Sequence, residues 1–135
     1  MRAVPLDRKI LNRIAGKKGD VFLRADFDDL GGYDQIGRAL RKLVAAGELL
    51  RIGQGLYARA ARSPFDGKPI PVKGVTLLMQ EALQRVGVEA RPTRSETDYN
   101  AGKTTQVPTG RVIGVNKRVR RKIGYDGWLV RFERA

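Results

Sequence analysis

A chain of 135 residues with 41% hydrophobic content can form one ordinary domain, or a small domain with an extension, around a real apolar core. Its 27 Lys+Arg against 14 Asp+Glu leave a formal charge of +13, which favours polyanionic partners and nucleic acid above all. Cys and His are both absent, which excludes disulfides, thiolate zinc sites and imidazole acid–base chemistry, so neither an enzyme nor a cofactor is expected.

The N-terminal MRAVPLDRK lacks the apolar stretch of a signal peptide, and no later run is apolar enough to span a bilayer. A cytoplasmic protein without membrane contact is the expectation. The positive excess runs through both halves: residues 1–73 hold fifteen basic and eight acidic side chains, residues 74–135 twelve and six.

Leu6, Ile10 and Ile14 recur at four-residue spacing, with Leu11 widening the stripe, so residues 5–15 read as a first helix stopped by Gly16. Val21 and Phe22 form a short buried lead-in. Residues 25–30 read as a two-turn helix with Phe27 and Leu30 inward, broken by Gly31-Gly32. A third helix follows over 33–46. Ile36, Leu40, Leu43 and Val44 share one arc of roughly 100°, and Gln35, Arg38, Arg41 and Lys42 take the other side. An apolar stripe backed by a basic face suits a helix lying in a DNA groove, where Arg pairs with guanine, Gln with adenine, and Lys attracts phosphate.

Gly47 ends that helix. Residues 48–52 read as a strand, Gly53-Gln54-Gly55 as a tight turn, and Leu56 to Arg59 as the returning strand. On this ribbon Arg51, Gln54 and Arg59 are candidates for phosphate or minor-groove contact, while Tyr57 fits either the core or the DNA. The order of elements predicts a winged helix-turn-helix over residues 1–60.

Pro64, Pro69 and Pro71 preclude a helix or central strand, so residues 61–73 read as a Pro-rich linker. Beyond it, residues 75–86 form an amphipathic helix with Leu78, Met79, Ala82, Leu83 and Val86 on its buried side. Residues 88–90, 112–115 and 128–132 read as strands, and 91–106 as a polar loop. Lys117, Arg118, Arg120, Arg121 and Lys122 make five of six consecutive residues basic, a block able to neutralise backbone phosphates without reading sequence. A solvated basic edge or an acidic protein partner are the other uses of such a block. The fold class is therefore α+β: an N-terminal winged helix-turn-helix and, over 74–135, a small mixed α/β extension.

Gly102-Lys103-Thr104 copies the end of a phosphate-binding loop, but Thr97 stands where that motif requires its first glycine. Ser95, Glu96, Asp98 and Tyr99 form no recognisable catalytic set.

Two segments together resemble AbiEi-type antitoxins of type IV toxin–antitoxin systems. The first is FLRADFDDLGGYDQIGRALRKLVAAGELLRIGQGLYAR, similar to that family's winged domain. The second is YNAGKTTQVPTGRVIGVNKRVRRKIGY, similar to its T-Q-V-P segment, strand and basic turn. The resemblance implies an autorepressor that binds repeats in its own promoter, with Gln35, Arg38, Arg41 and Lys42 on the recognition helix and Gln54 at the wing tip. It also implies a functional link, without a stable complex, to a nucleotidyltransferase-like toxin. The remaining alternative from charge alone is an RNA-binding or ribosome-associated basic module. The low aromatic content, 7%, argues against a base-stacking platform for single strands.

Overall fold

The computed structural model describes residues 4–103, 112–125 and 128–134. The chain is of the mixed α+β class and divides into two compact units, Met1–Val72 and Lys73–Ala135.

The first unit begins with α1, Leu6–Ala15, which buries Ile10 and Ile14 one turn apart. Strand β1, Val21–Leu23, leads directly into a 3-10 helix, Arg24–Leu30. An α-helix was the expectation for this second segment. Three aspartates in seven residues give poor helix propensity, and the Asp26 carboxylate accepts the Leu23 N–H at 2.9 Å, which holds a tight first turn instead.

After Gly31-Gly32 comes α2, Tyr33–Ala45, with Ile36, Ala39, Leu40 and Leu43 buried. Strands β2, Leu49–Gly53, and β3, Leu56–Arg62, pair antiparallel around Gln54-Gly55. Gly55 has φ of +68°, a left-handed conformation that suits glycine in so short a hairpin turn. β1 pairs with the other side of β3, Val21 opposite Ala58, giving the order β1-β3-β2. Ile10, Ile14, Phe22, Phe27, Ile36, Leu40, Leu43, Leu49 and Tyr57, drawn from the helices and the strands, belong to one core cluster.

The stretch read as a linker belongs to this unit's sheet. β3 continues to Arg62, and β4, Pro69–Pro71, pairs with its far half, Ala61 opposite Ile70. Prolines forbid a central strand but permit an edge strand, where a missing N–H faces no partner. The connection is closed by Ser63 N–H to Lys68 O and Lys68 N–H to the Asp66 carboxylate.

The second unit starts with α3, Val75–Arg85, which buries Leu78, Met79, Ala82 and Leu83. β5 is Ala90–Arg91, slightly later than the 88–90 expected, because Val88 still closes the end of α3 through its N–H to Leu83 O. The segment expected as a loop contains α4, Arg94–Asn100. Its start is set by a reciprocal pair: the Thr93 hydroxyl accepts the Glu96 N–H, and the Glu96 carboxylate accepts the Thr93 N–H.

β6, Val112–Val115, is central in a three-stranded sheet, antiparallel to β5 and parallel to β9, Arg131–Arg134. β7, Gly124–Tyr125, and β8, Trp128–Leu129, form a separate short antiparallel pair. The single strand expected over 128–132 is thus two strands with different partners. The Thr105-Gln106-Val107-Pro108 segment lies outside the described residues.

Candidate nucleic-acid interface

Helix α2 owes its orientation to its apolar side. Ile36 and Leu40 are fully buried, and Leu43 and Ala39 nearly so, which fixes the rotation of the helix about its axis. The opposite side then must face solvent, and Gln35, Arg38, Arg41 and Lys42 are all exposed there. Lys42 lies 3.7 Å from the Asp7 carboxylate of α1, a loose pair with the lysine side chain still 75% exposed. Such a surface pair is readily exchanged for another anion.

Gln35 has a task of its own. Its side-chain oxygen accepts the Gly32 N–H at 3.2 Å and so caps the start of the helix. The cap engages one lone pair of that oxygen, so a two-point pairing with adenine competes with the cap for the orientation of the amide.

On the ribbon, Arg51 projects outward between buried Leu50 and Ile52, and Gln54 is exposed at the turn. Tyr57 is a core residue, 5% exposed. Arg59, also in the candidate set, is engaged within the unit. Its Nη2 donates at 3.0 Å to the carbonyls of Ile14, Lys17 and Gly19, and its Nε donates to the Asp20 carboxylate at 3.1 Å. The guanidinium also stands over the Phe22 ring, 5.3 Å from its centroid. These four acceptors tie the α1–β1 loop to β3 through Arg59.

Arg13 is a second internal brace. It pairs with the Asp29 carboxylate through both terminal nitrogens and donates to Asp26 O at 3.0 Å, holding α1 against the 3-10 helix. The hydrogen bond from Arg13 holds the Asp29 carboxyl below its ordinary pKa and, reciprocally, raises that of the guanidinium; partial burial opposes both shifts.

One basic residue beside α2 went unread in the sequence. Arg24, first in the 3-10 helix, crosses α2 at Gly37 with its guanidinium carbon 3.6 Å from the centroid of the Tyr33 ring. The signal for it was Gly37 itself. A glycine in the middle of a helix weakens it, and a Cβ there would lie 1.9 Å from an Arg24 nitrogen.

In the second unit, Lys117, Arg118, Arg120, Arg121 and Lys122 are exposed on an irregular segment that is pinned at both ends. Asn116 exchanges two hydrogen bonds with Glu89, each 3.1 Å, and Ile123 is fully buried and accepts the Val130 N–H. Gly102 and Lys103 follow the end of α4, whereas a phosphate-binding loop must precede a helix.

Among the described residues, no group of His, Cys, Asp or Glu is arranged to hold a metal ion, and no helix is long and apolar enough to cross a membrane.

Residues 9–134 match the family described as "Family of unknown function (DUF6088)", and the chain belongs to that family. No curated protein and no solved structure matches it.

Proposed function

We propose that this DUF6088 chain is a sequence-specific double-stranded DNA-binding repressor whose first unit works as a winged helix-turn-helix. The observation that carries the reading is α2: a helix clamped by Ile36, Leu40 and Leu43 that turns Arg38, Arg41 and Lys42 outward. The order α1, β1, 3-10 helix, α2, β2, β3, with its antiparallel β1-β3-β2 sheet, supports the same reading. In it, α2 is the recognition helix and the Gln54 turn a short wing.

Affinity comes from the distributed positive charge and specificity from the few side chains of α2. The basic segment 117–122 adds a second, sequence-independent hold on phosphate. The resemblance to AbiEi-type antitoxins extends the proposal: the repressed promoter is the chain's own, and the neighbouring gene encodes a nucleotidyltransferase-like toxin that the chain counteracts without a stable complex.

Selection from a pool of random duplexes with the full chain tests the DNA reading. Enrichment of one sequence, and its recurrence upstream of the gene, is the expected result. No enrichment, together with tighter binding to structured RNA in direct competition, overturns it in favour of an RNA-binding module. For the antitoxin role, the adjacent reading frame expressed alone should arrest growth and co-expression of this chain should restore it.

A further inference from the structure

We propose that Arg24, laid across Gly37 and stacked on Tyr33, is a preformed seat for one backbone phosphate of duplex DNA at the corner between the 3-10 helix and α2. The inference rests on the DNA-binding reading and names a contact that the basic face of α2 does not contain.

The geometry restrains the guanidinium from three sides. One terminal nitrogen, Nη2, donates to the Tyr33 carbonyl at 2.9 Å, and the plane stacks on the Tyr33 ring. The bare backbone of Gly37 supplies the floor, so close that a methyl group would collide with Nη2. Arg24's own N–H donates to Gly55 O at 3.1 Å, joining the residue to the β2–β3 turn. An arginine so held has already lost its rotamer freedom on folding, and binding an anion costs little further entropy.

Two features argue that the charge itself is wanted here, beyond a brace. Nε is enclosed and has no hydrogen-bond partner among the described residues, a standing penalty that an apolar side chain of similar length would avoid. The helix also keeps a glycine in its interior, at a cost in helix stability, solely where the guanidinium passes. The second terminal nitrogen, Nη1, has no partner among the described residues, and the Tyr33 ring beneath is 69% exposed. Gly37 lies one turn before Arg41 and next to Arg38, so the seat extends the basic face of α2 along its edge toward the 3-10 helix. A guanidinium with free N–H donors, stacked on a ring that limits its hydration, fits a phosphodiester oxygen pair.

The test measures affinity of the full chain for a random-sequence fluorescent duplex and for its preferred duplex across a salt series. Arg24→Gln should weaken both duplexes alike, by roughly five- to tenfold, and lower the slope of log affinity against log salt by about 0.9. Arg24→Lys should keep the slope and lose part of the affinity, since the charge remains but the stacked fork does not. Gly37→Ala expels the guanidinium while favouring the helix, so it should lose affinity without loss of thermal stability. It decides the matter if Arg24→Gln does not fold. An unchanged salt slope in both Arg24→Gln and Gly37→Ala overturns the seat and leaves Arg24 a brace. Failure of the unmodified chain to bind any duplex at low salt overturns the DNA reading itself, a distinct outcome.

Discussion

Helix α2 and the segment 116–123 both present clustered positive charge, on very different frames. Arg38, Arg41 and Lys42 stand on a helix whose far side is locked by Ile36, Leu40 and Leu43, so their spacing and direction are set before any ligand arrives. Lys117, Arg118, Arg120, Arg121 and Lys122 occupy irregular backbone pinned at Asn116 and Ile123. Charge on a rigid helix can distinguish one base edge from another, because a misplaced donor finds no acceptor. Charge on an irregular segment attracts phosphate whatever the sequence. The first region is suited to specificity and the second to affinity.

That contrast can be broken most severely at the core. Leu40→Ala removes a fully buried side chain and should cost about 2–5 kcal/mol of stability in urea unfolding followed by circular dichroism, with DNA preference lost alongside. Replacing all five basic residues of 117–122 by Gln should leave unfolding nearly unchanged. It should lower the salt slope by as much as about 4.5 units, equally on preferred and random duplexes. A loss confined to the preferred duplex would reverse the roles given to the two regions.

Arg59 and Arg38 sharpen the comparison within the first unit. Arg59→Ala breaks an interior set of charged hydrogen bonds and should lower stability by about 1.5–3 kcal/mol with no change in salt slope. Arg38→Ala should do the opposite, costing about 1–3 kcal/mol of binding on the preferred duplex and much less on a random one, with stability intact.

The smallest effect concerns pH. Asp29 is held ionised by Arg13, so its folded pKa lies below its unfolded one. The stabilisation is therefore fully present above the ordinary carboxylate pKa and disappears as pH falls through the lowered value. Asp29→Asn should remove that part of the acid limb, below about pH 4, and leave DNA binding near neutrality as it was.

Much of the first unit could be read because its signals are local. The apolar period of α2 defined which side is buried, and burial of that side leaves the basic residues nowhere to point but outward. Gly53-Gln54-Gly55 marked the hairpin because only a few backbone conformations turn a chain so tightly. α4 was missed: Thr93 and Glu96 have the spacing of a reciprocal cap, but the absence of an apolar stripe over 94–100 made the segment read as a loop. β4 was hidden differently. Its prolines look like a linker until the far half of β3 is there to receive an edge strand.

Arginine roles divide most sharply between what sequence and tertiary structure decide. The sequence alone determined that the chain is strongly basic, without His or Cys, α+β in class, and equipped with one helix that is apolar on one side and basic on the other. It did not decide which arginines face outward. Arg59 turns inward because carbonyls from residues 14, 17 and 19 converge on it, and Arg24 lies along α2 because Gly37 leaves room. A helix period depends on neighbours three and four residues away, whereas the partner of a long flexible cation is chosen by groups far along the chain. Only folding brings those groups together.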